Sequence, residues 1–269
     1  IPPTIDGQPS AFYLFQSMFL NFFIVFDFTA NWPDRNDEIT PQHKYPVAHL
    51  VEARYLRVQI KPLEQFKRLA QLNWPPAPGY YPQVLVHAHS NPNTNNGWDF
   101  VDSVAASYNS EYWKDKISFW HNANFFPRRL EYIQKSIDEY LEDDWISSIH
   151  VITPQFEGVI KDYLESNGVQ LRGVLSSRWI SELKTLVLSR KVLLFPRELL
   201  DLILQFLDES FLMDTRQNNV DGSEQVSRHG IAHGIFKGFE SRPLALKYLV
   251  LFDALALVIL HDKIVAGTL

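Results

Sequence analysis

The chain contains no cysteine among its 269 residues. This absence excludes disulfide bonds, a thiolate nucleophile and cysteine-ligated zinc. It agrees with a reducing compartment, and we expect a cytoplasmic protein. The sequence also lacks a long repeat, a heptad array and a glycine-rich phosphate loop, because Gly230, Gly234 and Gly238 do not form a Walker or Rossmann pattern.

An excess of positive charge is also missing, since the formal net charge is −6. A contact with nucleic acid must therefore come from a local basic patch. One such patch lies between positions 226 and 247, where Glu240 is the only acidic residue; its cations are Arg228, Lys237, Arg242 and Lys247. We expect the last three of these to be RNA-binding residues.

Long uninterrupted apolar runs are scarce as well. Residues 11–28 are rich in phenylalanine but contain Gln16, Asn21 and Asp27, and they are short for crossing ~30 Å of hydrocarbon. We expect a buried helix there and no membrane contact. The chain begins at Ile1 rather than at methionine, so we expect residues to precede it in the native protein.

Helical periodicity dominates the rest of the chain and predicts a mainly all-α fold. Residues 73–97 are proline-rich and irregular, and Pro154 is expected to begin or kink a helix. The acidic cluster that ends at Asp144 suggests a domain boundary, with a helical accessory region over 1–144 and a helical domain over 145–269. The sequence predicts two helices within residues 47–72, with a break near Pro62, and one helix each within 98–126, 128–141, 145–166 and 244–260. Two further helices are expected to begin at Ser177 and at Pro196.

Two histidines, His87 and His89, end a short apolar run in the irregular region. A strand end that presents His-x-His can bind zinc, as in amidohydrolase-type enzymes. No later His or Asp forms a supporting pattern, so the favoured interpretation is a loop with two exposed histidines.

The strongest chemical signal is the stretch from Ser227 to Gly234, which contains Arg228, His229 and His233. A guanidinium is a permanent cation that binds phosphate through two parallel hydrogen bonds. An imidazole, with an unperturbed pKa of about 6.5, suits proton transfer near neutral pH. This pair predicts a phosphate ester as the substrate.

This stretch resembles the signature of the HEPN (higher eukaryote and prokaryote nucleotide-binding) ribonucleases. The signature is an arginine, then Asn, Asp or His, then any three residues, and then a histidine. The Glu157–Lys161 spacing is similar to the family's early helix, and the segment from Arg242 onward is similar to its closing helix. The resemblance covers roughly residues 145–269. It implies a helical bundle and a homodimer in which two motifs form one RNA cleft.

The resemblance also implies metal-independent RNA cleavage without a cofactor. His233 would act as general base or acid and Arg228 would stabilise the phosphoryl charge, with His229, Glu157 and Lys161 in supporting roles. In a regular helix Arg228 and His233 would lie about 140° apart, so they would converge through a frayed turn or across a dimer. Several relatives are toxins or phage-defence effectors, which implies growth arrest and a controlling antitoxin or defence-system partner.

Two alternatives remain open from the sequence. The domain could be a non-catalytic nucleotide-binding, RNA-binding or assembly module. It could instead be a metal hydrolase, because His229 and His233 have the spacing of helical zinc ligands. Gly230 stands where metalloproteases place a glutamate, which weakens the metal interpretation.

Overall fold

The computed structural model describes the chain in two compact units, Ile1–Glu64 and Gln65–Leu269. In the first unit it describes the backbone of four strands and the residues 63 and 64. In the second unit it describes residues 65–77, 79–80, 84–85, 100–173, 176–190, 196–212 and 241–265.

The strands of the first unit form two antiparallel pairs. Strand β1 (Thr4–Ile5) pairs with β2 (Gln8–Pro9), and β3 (Phe12–Ser17) pairs with β4 (Phe22–Asp27). The helix predicted over residues 11–28 is therefore wrong. Both halves of that segment are rich in aromatic residues, and the second also contains the β-branched Ile24 and Val25; such residues favour strands, and a short connection allows the halves to pair as a hairpin.

The described residues of the second unit are mostly helical and contain no strand, which makes the fold mainly all-α, as predicted. Residues 63–71 form a short helix. The longer helices are α1 (Phe100–Ser107), α2 (Ser110–Asn122), α3 (Leu130–Leu141), α4 (Trp145–Ser166), α5 (Ser177–Leu188), α6 (Arg197–Phe206, followed by a π-helical turn over Leu207–Phe211) and α7 (Arg242–Val265).

Local signals fix the ends of α4, which is second in length only to α7 among the described helices. The Asp144 carboxylate accepts a hydrogen bond from the Ser147 backbone N–H at 3.0 Å, which caps the first turn. Gly168, with φ of +80°, follows the last turn in the left-handed conformation that ends helices. The prediction of a helix over residues 145–166 is confirmed.

Pro154 lies inside α4 and does not begin it. Proline has no N–H, so the helix lacks one backbone hydrogen bond at this position. Side chains on either side bond to neighbouring carbonyls: the Thr153 hydroxyl donates to Ile149 O at 2.6 Å, and the Gln155 amide donates to Val151 O at 3.3 Å. The helix is continuous through the proline.

The centre of the second unit is α7, which packs against α3, α4, α5 and α6. Every residue from Leu244 to Ile259 is buried, so this helix has no solvent-facing side along that length. Phe156 of α4 contacts Phe252 of α7 with ring centroids 5.3 Å apart. Arg242–Ile264 is long and apolar enough to cross a membrane, but 83% of its most apolar window is buried inside the bundle, the burial of a core helix.

The domain boundary expected after residue 144 stays a prediction. Helices α3 and α4, which flank that position, pack closely against each other across the turn 142–144. The compact units meet at Glu64 and Gln65. The acidic residues near 144 mark an exposed turn between neighbouring helices.

Candidate functional site

Most of the predicted site lies outside the described residues. Arg228, His229, His233 and Lys237 fall in the segment 213–240, and His87 and His89 fall in 86–99. The described chain resumes at Ser241, and α7 begins at the next residue. The Ser241 side chain accepts a hydrogen bond from Leu244 N at 3.4 Å, which caps the helix that follows the motif.

Arg242 is the predicted RNA-binding residue nearest to the motif that the structure describes. Its Nη1 lies 2.8 Å from Asp102 Oδ1 of α1, and the two side chains are 40% and 67% exposed. The Tyr140 hydroxyl of α3 raises the pKa of Arg242 above its ordinary value, with Asp102 adding to the effect. The guanidinium is thus paired with a carboxylate of α1 at a solvent-exposed position.

Lys247, also predicted to bind RNA, is only 5% exposed. Its ammonium lies 5.1 Å from the centre of the Trp74 ring, in cation–π geometry. A side chain buried in this way does not present its charge to a backbone phosphate. The expected RNA contact of Lys247 therefore does not fit the structure, because the residue belongs to the buried face that α7 turns toward Trp74.

Glu157 and Lys161, the expected supporting residues, both lie on α4. Glu157 is partly buried, whereas Lys161 is exposed and lies 3.9 Å from Glu165, one turn further along the helix. An exposed pair of this kind contributes only about 0.3–0.5 kcal/mol. The structure therefore places Lys161 in a surface ion pair with Glu165.

Two buried carboxylates on α7 form sites that the sequence did not indicate. Asp253 is 1% exposed; its Oδ2 accepts a hydrogen bond from the Tyr112 hydroxyl at 2.5 Å, and its Oδ1 lies 3.2 Å from Lys116 Nζ. Burial raises the pKa of Tyr112 well above its ordinary value, and the negative charge of Asp253 raises it further. This arrangement joins α2 to the middle of α7.

Asp262, near the end of α7, is also 1% exposed. Arg190 donates to its two oxygens at 2.5 and 2.7 Å, and the Tyr163 hydroxyl donates to Oδ2. Burial and this bond raise the pKa of Tyr163, while burial lowers the pKa of the neighbouring His261. The site holds together the C-terminal ends of α4, α5 and α7.

No family model, curated protein or solved structure matches the chain. A functional assignment therefore rests on the residues of the chain itself.

Metal binding finds no support in the described part of the chain, where no three His, Asp or Glu side chains are grouped to hold an ion. Each buried aspartate of α7 instead has a cation and a phenol as its partners. The histidine pairs considered as zinc ligands, His87 with His89 and His229 with His233, lie outside the described residues.

A groove of about 440 Å³ lies between α2 and α3. Trp113, Ile117 and Ile137 contribute apolar surface, while Lys114 and Asp138 contribute opposite charges. None of the predicted site residues lines this groove. Its mixed charge does not point to RNA.

The sequence contained an incomplete signal for the buried charges. Asp253 interrupts the apolar run of α7, which marks it as unusual, but nothing nearby in the sequence identifies Tyr112 or Lys116 as its partners. Arg190 and Asp262 carry no local signal, because they are far apart in the chain and meet only when α5 packs against α7.

Proposed function

We propose that the chain is a metal-independent endoribonuclease of HEPN type, in which Arg228 and His233 act on RNA. The observation that carries the proposal is the spacing of these residues, with His229 in the variable polar position. The mainly helical architecture of the described residues of the second unit is compatible with it. The exposed guanidinium of Arg242 supports it further, because it supplies a cation at the N-terminal end of α7, shortly after the motif.

The proposed reaction transfers a phosphoryl group within the RNA strand. His233 removes the proton from a ribose 2′-hydroxyl, and the 2′-oxygen attacks the adjacent phosphorus. The bond between phosphorus and the 5′-oxygen then breaks, and the 5′-oxygen takes a proton from a His233 imidazolium. The products are a 2′,3′-cyclic phosphate and a 5′-hydroxyl. Arg228 stabilises the charge on the phosphoryl oxygens. Because the nucleophile is the 2′-hydroxyl, the substrate is RNA and not DNA.

The biological setting is part of the same proposal. The active form is a cytoplasmic homodimer, because two copies of the motif solve the angular separation of Arg228 and His233. A role as a toxin or phage-defence effector, restrained by an antitoxin or a defence-system partner, follows by analogy with the resembling family.

A double substitution tests the proposal. Arg228→Ala/His233→Ala is expected to reduce cleavage of total RNA at least ~100-fold in the presence of a chelator, since the general base and the charge stabiliser are both lost. The matched control, His121→Ala/Arg172→Ala, removes the same two side-chain types from exposed positions and is expected to cleave normally. Circular dichroism checks the fold, and light scattering gives the molecular mass.

Unchanged cleavage in the motif variant would refute the proposal. RNA binding by the wild type without cleavage would favour the non-catalytic binding module. Cleavage that stops in chelator and returns with zinc would favour the His229–His233 metal hydrolase.

A further inference from the structure

Arg242 and Asp102 form an ion pair at the N-terminal end of α7. Asp102 lies in the first turn of α1, and Arg242 is the first residue of α7. Both members of the ion pair are accessible to solvent. The guanidinium is therefore exposed, and a carboxylate covers it on the side of Nη1.

We propose that Asp102 occupies the position of an RNA phosphate on Arg242, so that RNA must displace this carboxylate in order to bind. The inference rests on the proposed function. A carboxylate and a phosphate both accept hydrogen bonds from a guanidinium in fork geometry. The two anions compete for the same N–H groups, and like charges repel when both are present.

The ion pair is suited to such exchange because it is exposed. Pairs of this kind contribute little to stability and are screened by salt, so a phosphate can replace the carboxylate at low cost. Asp102 thus lowers RNA affinity.

The experiment measures binding of a fluorescent single-stranded RNA oligonucleotide to full-length chains that carry His233→Ala, so that the probe is not cut. Asp102→Asn is expected to tighten RNA binding about two- to fivefold, because an exposed ion pair contributes a free energy of that size. The gain in affinity should be largest at low salt, where charges are screened least. Asp102→Glu restores the charge and is expected to return the affinity toward that of the parent. Glu111→Gln removes an equal charge from the first turn of α2 and serves as the matched control.

A double-mutant cycle identifies the route of the effect. In an Arg242→Ala background, Asp102→Asn is expected to change affinity no more than Glu111→Gln does, because the contested cation is gone. Unchanged or weaker binding by Asp102→Asn in the parent would overturn the inference, as would a gain that persists without Arg242. In either case RNA binding by the parent leaves the proposed function standing, whereas no RNA binding by any of these proteins overturns both.

Discussion

At the scale of single residues, the two buried carboxylates of α7 are stabilised in the same way against the loss of hydration. Asp253 has Lys116 and Tyr112 as partners, and Asp262 has Arg190 and Tyr163. An unpaired buried carboxylate would be strongly destabilising, while a cation and a hydroxyl donor together satisfy its oxygens. These carboxylates tolerate burial because two partner side chains, one cation and one phenol, meet at each of them.

Tyr112→Phe tests this arrangement. At neutral pH we expect the free energy of unfolding to fall by about 1.5–3 kcal/mol, because a hydrogen bond to a charged acceptor is lost. The raised pKa of Tyr112 means that the folded chain keeps a proton that the unfolded chain releases above pH ~10. Its contribution is therefore complete below that pH and is lost as the pH rises. Urea unfolding from pH 7 to 11.5 measures both effects.

The alkaline loss of stability should be smaller in Tyr112→Phe than in the wild type. It should not vanish, because burial also raises the pKa of Tyr80 and Tyr108. Tyr132→Phe, which removes a hydroxyl from a ring that is 56% exposed, is the matched control and should follow the wild-type profile. An equal alkaline slope in Tyr112→Phe and the wild type would contradict the assignment.

At the scale of helices, α4 combines strong end signals with an unfavourable interior residue. Its cap at Asp144 and its stop at Gly168 set its length, and its apolar side packs against α7. Pro154 lies on its exposed side, where the ring meets no packing requirement of the core. Tertiary packing therefore maintains a helix that local propensity would interrupt.

Pro154→Ala is expected to stabilise the second unit by about 1–2 kcal/mol. The substitution restores a backbone N–H and removes a clash worth about 3 kcal/mol, less the flexibility that alanine adds to the unfolded chain. Chemical denaturation with an unchanged m-value would measure the gain. Ser166→Ala, an exposed position at the end of the same helix, is the control, and a Pro154→Ala chain no more stable than the wild type would oppose this account.

At the scale of the whole molecule, the helical unit contains its own core around α7. A fragment of residues 63–269, which keeps the helix over 63–71 intact, is expected to fold by itself because a compact unit with a buried core is independent of its flanking chain. Far-ultraviolet circular dichroism should show a helical spectrum and a single cooperative thermal transition. A fragment of residues 145–269 should lack that transition, because it loses α2 and α3.

A cooperative transition in the shorter fragment would instead support the boundary expected near residue 144. The comparison is direct because both fragments contain the motif and α7. Loss of cooperativity in both fragments would show that the helical unit needs the first 62 residues of the chain.

The sequence by itself determined most of the helical unit. Apolar periodicity predicted α4, and Pro196 marked the start of α6, because these signals act between residues close in the chain. The motif of Arg228 and His233 was equally readable from spacing, and it stays a prediction.

Only the tertiary structure decided which distant residues meet. Periodicity could not choose the strands β3 and β4 over a helix for an aromatic-rich segment, since pairing depends on the whole hairpin. Nor could it show that Lys247 is buried against Trp74 or that Asp262 accepts from Arg190. Local patterns fix helices, but burial and ion pairing depend on contacts between elements, which the sequence order does not reveal.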